Sequence, residues 1–507
     1  MNPRNNARMH FTRSSGVLVH PTSLPGPAGI GDIGPDAHRW LDRLGAMGCA
    51  LWQVLPLGPT GYADSPYQSF SSFAGNPNLI SPVALVEEGL LETSDVDPVP
   101  DFPEGRVDYG LLIPWKRKLI DTAFERFRTD PGFEAFKQDN RTWLDDFALF
   151  MTLKDMYGGN AWMLWPPMLR DRDPDQIEKA RAAYRMEIER HQFAQFLFTR
   201  QWQQLHDRAG RAGISIIGDI PIFTAADSAD VWANRELFQL DEEGRPALQA
   251  GVPPDYFSET GQLWGNPLYD WEAHKGSGYA WWIERFRWTL DLVDVIRIDH
   301  FRGFVNYWEV PANADTAING RWVDGPGEEF FRSVESELGT LPIIAEDLGE
   351  IDPRVPALRD RLGFPGMKVF QFGFDTDRTN PFLPHNYPKN SVAYTGTHDN
   401  DTTRGWFDSL ADEERAFVLE YLGTDDSEIA WDGMWAVWKS KAVFAIAPLQ
   451  DVLDLGTEAR MNLPGSMAGN WQWRAPSDGL TDEVIAKMKA LNKATRRKPG
   501  RRMRGRS

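Results

Sequence analysis

Cysteine is nearly absent: Cys49 is the only one in 507 residues. A single thiol cannot close an internal disulfide, so the fold must hold by packing alone, which suits a reducing compartment. Cys49 sits in LGAMGCALWQV with apolar neighbours and no adjacent histidine, and reads as a buried structural thiol rather than a nucleophile. Long hydrophobic runs are missing too. No apolar stretch approaches ~18 residues, which excludes an ordinary membrane-spanning helix. The opening MNPRNNARMHFTRSSG carries arginines but no apolar segment of signal-peptide length and reads as a frayed terminus. The expected location is therefore cytoplasmic. Positive charge is in deficit, with 54 Lys and Arg against 73 Asp and Glu and a net charge of −19. That balance excludes nucleic acid or an anionic membrane as partner for the body of the protein. The exception is the end, KATRRKPGRRMRGRS, expected to be a solvated, disordered basic tail over 493–507. No internal repeat is visible.

Tryptophan, by contrast, is abundant, with 21 residues. Its flat apolar face and single N–H donor suit the C–H faces and hydroxyl rims of sugar rings, although many such residues simply fill cores. Along the chain, short apolar segments alternate with longer helical patterns. The expected strands are Gly16–His20, Ala50–Leu55, Ser215–Ile220, Val293–Asp299, Pro342–Glu346, Lys368–Phe374, Ser391–Thr397 and Ala442–Pro448. Near-continuous runs of Val, Ile, Leu and Phe mark buried parallel strands. Eight of them separated by helices imply an α/β fold, a (β/α)8 TIM barrel. Residues 1–61 would supply the first two strands, and 62–200 a mostly helical subdomain inserted at the C-terminal mouth. Residues 201–492 would complete the barrel, with structureless mouth loops at 249–271 and 458–474.

Active sites of such barrels collect at the C-terminal ends of strands. Four of the expected strands end in acids: Asp219 in GDIPIF, Asp299 in RIDHFRG, Glu346 in IIAEDLG and Asp399 in TGTHDND. Alternation along a strand puts Arg297 on the face of Asp299, and Ile344 on that of Glu346. The arginine favours an ionised Asp299, the form that can attack a sugar C1, although a purely structural Arg–Asp pair is the competing reading. Apolar neighbours favour a protonated Glu346, suited to general acid work. Retaining glycoside chemistry asks for such a pair. Asp399, with His398 beside it, would bind sugar hydroxyls and steady the oxocarbenium-like transition state. Alone, His398 or His300 would read as a structural histidine; beside the strand-end acids each reads as part of a site.

RIDHFRG, IIAEDLG and TGTHDND together resemble the strand-end motifs of the α-amylase clan in the version of the amylomaltase, or 4-α-glucanotransferase, family (glycoside hydrolase family 77). So do GVLVHPTSLPGPAGIGD, LPLGPTGYADSPYQSFSSFAGNP, GDIPIF, GVPPDYFSETGQLWGNPLYDW, MKVFQFGFD and ARMNLPG, in that order over nearly the whole chain. The resemblance implies Asp299 as nucleophile, Glu346 as general acid/base and Asp399 as transition-state stabiliser, with Arg297 and His398 supporting the same subsite. It implies Asp219 at the pocket wall, Tyr67 and Trp264 as sugar platforms or hydroxyl partners, and Tyr256 and Phe257 on the acceptor side. Asn462 and Pro464 would belong to a loop closing over the site. No metal or organic cofactor is implied. The expected partners are α-1,4-glucans (maltooligosaccharides, amylose, starch or glycogen), with glucose as an acceptor.

Three other functions compete. An α-glucan hydrolase would use the same acids. A binding protein built on an inactive barrel is opposed by the intact acids. A barrel acting on phosphorylated sugars would need a Gly-rich phosphate loop after the last strands. Those strands are followed instead by HDNDTT and LQDVLDLG, whose acids would repel phosphate.

Overall fold

The computed structural model describes residues 9, 11–254, 258–349, 352–466, 468–497 and 499. Twelve strands form two sheets among the described residues: β1 (Ser14–Leu18), β2 (Leu51–Gln53), β3 (Ser215–Pro221), β4 (Leu248–Val252), β5 (Gln262–Pro267), β6 (Val295–Asp299), β7 (Asn306–Pro311), β8 (Arg321–Asp324), β9 (Ile343–Ala345), β10 (Gly366–Val369), β11 (Ser391–Tyr394) and β12 (Phe444–Pro448). Eight of them close a barrel in the order β1-β12-β11-β10-β9-β6-β3-β2. Every neighbouring pair is parallel. All eight expected strands are present. The sixth is displaced, because FQFGF alternates like a strand but turns instead. Phe370–Gly373 is a 3-10 turn that brings the rings of Phe370 and Phe374 to 4.7 Å.

Alternation sorts the strand residues into two cores. Leu51, Ile217, Val295, Ile344, Val392 and Ile446 point into the barrel, while Trp52, Ile216, Ile296, Ile343 and Ala393 pack outward under the helices. Val295 points inward, so Arg297 and Asp299 do as well; the same parity after Ile344 aims Glu346 inward. The barrel thus carries charge on an axis otherwise filled by aliphatic side chains.

The segment between β2 and β3 is mostly helical. Its helices start where the sequence places a cap before a proline: Ser81 before Pro82, Asp130 before Pro131 and Asp173 before Pro174, each side chain accepting a backbone N–H of the first turn. The boundary drawn at residue 200 is not real, however. It falls inside the 27-residue helix Arg185–Arg211, which packs on both Arg141–Met156 and the barrel helix Pro35–Ala46. One continuous helix therefore joins insertion to barrel, because its apolar stripe persists unbroken past Trp202 and Leu205.

The expected structureless loop 249–271 is also corrected. β4 and β5 pair antiparallel and join β7 and β8 in a four-stranded sheet of order β5-β4-β7-β8. Period-2 patterning is hidden there because the register shifts between Gln249 and Gly251, and β5 is only half-buried. The excursions after the third and fourth barrel strands thus share one sheet at the mouth.

Arg497, assigned from sequence to a solvated tail, is 2% exposed. It donates to the carbonyls of Trp438 (3.0 Å), Ser14 (2.8 Å), Val443 (3.3 Å) and Ala442 (3.2 Å). Arg13 reaches Ala442 O (2.9 Å) and Trp438 O (2.8 Å) from the other side. The buried charge is met by carbonyls at the C-terminal end of helix Ile429–Lys439 and at the starts of β1 and β12. Cys49 is buried, and burial pushes its thiol up to about 11, so it stays a neutral packing group. No helix among the described residues is long and apolar enough to cross a membrane.

Losing bonds of this kind costs ~1.5–3 kcal/mol each from a charged donor. At an unfolding entropy of about 2.1 cal/mol/K per residue, a chain this long shifts by about 1 °C per kcal/mol, so Arg497→Ala should lower the melting temperature by at least about 2 °C, whereas Arg496→Ala at the exposed neighbour should leave it unchanged. Equal melting of Arg497→Ala and wild type by calorimetry would show that the clamp contributes nothing.

Candidate active site

Register builds the first half of the site. Across β3 and β6, Asp219 pairs with Arg297 and Pro221 with Asp299. Arg297, 3% exposed, donates from Nη1 to Asp219 Oδ2 (2.5 Å) and lies 3.0 Å from Asp299 Oδ1. The Tyr67 hydroxyl also donates to Asp219 Oδ2, at 2.9 Å. One cation is therefore shared by two carboxylates. Burial raises the Asp219 carboxyl above its ordinary range against the pull of Arg297.

Glu346 follows β9, whose Ala345 lies opposite Ile298 of β6. Its backbone N–H donates to Ile298 O (3.0 Å), and its carbonyl accepts from Phe301 N (3.0 Å), so Glu346 is stitched to the chain on both sides of Asp299. Its carboxylate accepts from the backbone N–H groups of His300 (2.7 Å) and Leu348 (2.9 Å). Even so, burial first and the charge of Asp299 second push it up to about 8. The two donors favour the ionised form but are outweighed. Asp299 keeps a 31% exposed side chain facing the mouth. Asp347, the next acid, turns away into an ion pair with Arg359 and accepts from Met367 N (2.8 Å).

The second half lies after β11. Asp399 accepts from Asn462 Nδ2 at 2.6 Å, and the Nε2 of His398 lies 3.3 Å from its other oxygen. The Tyr67 ring stacks on His398, with centroids 5.1 Å apart and planes within 13°. Tyr67 thus joins the halves, its hydroxyl on Asp219 and its ring on His398. Trp264, on β5, presents an edge-to-face contact to His300 at 4.9 Å. Pro464 is exposed in the turn after Asn462. Tyr256 and Phe257 lie outside the described residues.

The sequence reading missed the residues that hold the site residues in place. Arg460 donates to Asp399 O (2.7 Å) and Asn462 O (2.8 Å), fastening the 460s segment to the third acid. Trp471 lies 5.7 Å from the Tyr67 ring and 6.0 Å from that of His398. Arg460 stands in ARMNLPG two residues before Asn462, and an arginine so close to a site residue was the available signal. Trp471 carried none beyond its residue type. His300 has φ 51°, a left-handed conformation rare for a non-glycine residue, and it is this bend that aims its N–H at Glu346.

With this geometry in place, the chain can be compared with known proteins. A family model described as 4-alpha-glucanotransferase, glycoside hydrolase family 77, matches residues 19–481. The chain belongs to the 4-alpha-glucanotransferase family. A 4-alpha-glucanotransferase of Thermus thermophilus is 51% identical over 503 residues, covering 96% of this chain and 100% of the relative. One from Synechocystis is 51% identical over 480 residues, covering 93% and 95%. Among solved structures, the amylomaltase of Streptococcus agalactiae in complex with acarbose superimposes with a TM-score of 0.93 at 40% identity, covering 96% of this chain and 100% of that one. The matched residues run from just after β1 to the cap of the last helix, Asp482–Ala494.

Glu346 gives a test of the electrostatics. Its carboxyl is held at about 8 in the fold against an ordinary 4.5. The folded protein therefore binds the extra proton between those values, and stability present below pH ~4.5 is lost as pH rises through 8. Glu346→Gln has no proton to lose. The melting-temperature difference between mutant and wild type should shift in the mutant's favour from pH 5 to pH 9, whatever constant offset the amide introduces. Parallel curves would show that Glu346 is not raised.

Proposed function

We propose that this 4-α-glucanotransferase works by a retaining double displacement through a covalent glycosyl-enzyme. Asp299 attacks C1 of the donor glucan; the C1–O4 bond breaks, and the proton of Glu346 goes to the departing 4-oxygen. The 4-hydroxyl of an acceptor then attacks C1, Glu346 takes its proton, and the bond to Asp299 breaks. One α-1,4 bond replaces another, and no water is consumed. The observation that carries this reading is the contrast within one stitched pair. Asp299 is salt-bridged to Arg297, while the adjacent Glu346 is pushed to about 8. Pairs of carboxyls with environments this different divide nucleophile and acid roles between them.

Asp399, exposed enough to meet a sugar and held by Asn462 and His398, fits binding of ring hydroxyls at the reacting unit. Arg297 and Asp219 fix the nucleophile from below. Trp264, Tyr256, Phe257, Asn462 and Pro464 are the mouth residues we assign to the glucan chain, and Tyr67 to the wall of the same subsite. Substrates are α-1,4-glucans from maltooligosaccharides to starch or glycogen, with glucose among the acceptors. The single buried thiol supports a reducing, cytoplasmic setting.

Two experiments test the reading. Purified protein given maltotriose alone should yield longer maltooligosaccharides and glucose, and Asp299→Ala should abolish that ladder while remaining folded. Shorter products with rising reducing ends would make the protein a hydrolase, and an active Asp299→Ala would remove the nucleophile. Glu346→Gln should lose roughly 10²–10⁴-fold on maltotriose but far less in the first step on an α-glucosyl fluoride, whose leaving group needs no proton. Equal losses on both donors would remove the acid role.

A further inference from the structure

His20 follows β1 in the segment VLVHPTS, outside every role assigned above. It is 5% exposed, and its Nδ1 has no hydrogen-bond partner within the protein. His398, 6% exposed, leaves its own Nδ1 in the same condition. The two histidines line one small cavity of ≈ 20 Å³ at the ends of β1 and β12, where Ser23 and Gln450 add polar side chains. A cavity of ~10–15 Å³ with two or more polar partners suffices for one ordered water.

Proton counting gives the cavity a purpose. Burial lowers both histidines, His20 to about 3, so both rings are neutral imidazoles at working pH. A neutral imidazole has one N–H and one bare nitrogen. The Nε2 of His398 lies 3.3 Å from Asp399 Oδ2, a carboxylate oxygen that can only accept. That oxygen favours the proton on Nε2, the nitrogen beside it, and in that tautomer the buried Nδ1 is a bare acceptor. Such an acceptor needs a donor, and a water in the shared cavity can give one O–H to it and its second O–H to a bare Nδ1 of His20.

We propose that one water in this cavity donates to Nδ1 of both His20 and His398, so that His20 is the positioning residue that fixes His398 in the Nε2–H tautomer facing Asp399 and the sugar. This rests on the assignment of Asp399 and His398 to the reacting subsite. His20 acts through the water and through His398; it does not touch substrate. The signature is specific to the acceptor atom, because the amide oxygen of asparagine falls close to where Nδ1 stood and phenylalanine has nothing there.

The experiment is steady-state kinetics on maltotriose for His20→Phe, His20→Asn and, separately, Asp399→Asn. His20→Phe should lower kcat about tenfold, the effect of one lost hydrogen bond, with KM changed less than about twofold. His20→Asn should recover most of that loss. Wild-type kcat in His20→Phe, or His20→Asn as slow as His20→Phe, would overturn the proposal. An active Asp399→Asn would instead remove the subsite assignment on which it rests. Should His20→Phe fail to fold, a crystal structure of the wild-type protein decides. A water within hydrogen-bond distance of both Nδ1 atoms upholds the proposal, and its absence from well-ordered density overturns it.

Discussion

Arg297 is the constraint on which the rest of the site depends. A guanidinium inside an aliphatic barrel is tolerable only with its charge met, and Asp219 and Asp299 meet it within 2.5 and 3.0 Å. Removing one partner of such a buried pair typically costs ~3–5 kcal/mol, so neither acid is free to drift. The register of β3 against β6 delivers this triangle without any loop having to find it. Tyr67 then spends its hydroxyl on Asp219, which orients its ring for His398, and the order imposed by one cation passes to the far side of the mouth.

The mouth itself is built from excursions that hold one another. The segment after β2 supplies Tyr67, and its neighbour Gln68 donates to Trp264 O (3.3 Å) and Asn266 Oδ1 (3.2 Å) of β5. The segment after β12 supplies Asn462 and Arg460, both bonded to Asp399. Three long insertions therefore converge on side chains that the barrel has already placed. Asp299 and Asp399 nevertheless stay open to the mouth, at 31% and 46% side-chain exposure, so a sugar can reach both.

How much of this was legible follows from which signals are local. The eight strands were readable because a buried parallel strand is a run of apolar residues, and parity alone put Asp299 on the face of Arg297 and Glu346 on that of Ile344. The four-stranded sheet was not, because β5 is half solvated and β4 bulged, so neither shows clean alternation. The end of the inserted subdomain was misplaced because a helix crosses it, and no composition shift marks a boundary inside a continuous stripe. Arg497 was misread since a charge run looks solvated until the carbonyls waiting for it are seen. Trp471 packs on Tyr67 and His398, and Arg460 reaches Asp399, all far away along the chain; only Arg460's nearness to Asn462 was local enough to read.

The same electrostatics bear on how one carboxyl can serve as acid and then as base. Glu346 sits between opposed influences: burial and the charge of Asp299 raise it, while Arg297 and two backbone N–H donors lower it. Were Asp299 to form a bond to C1, its negative charge would vanish while Arg297 and the donors stayed. The second-largest upward push on Glu346 would then disappear, and its proton affinity would fall just after its proton had been given away. An ionised Glu346 is what the incoming acceptor hydroxyl needs. When the new glycosidic bond forms, Asp299 regains its charge and Glu346 its affinity for the proton it has just taken. On the double-displacement reading, the sharing of one arginine between two acids beside a buried third is thus what lets the proton affinity of Glu346 alternate in step with the reaction, without any side chain having to move.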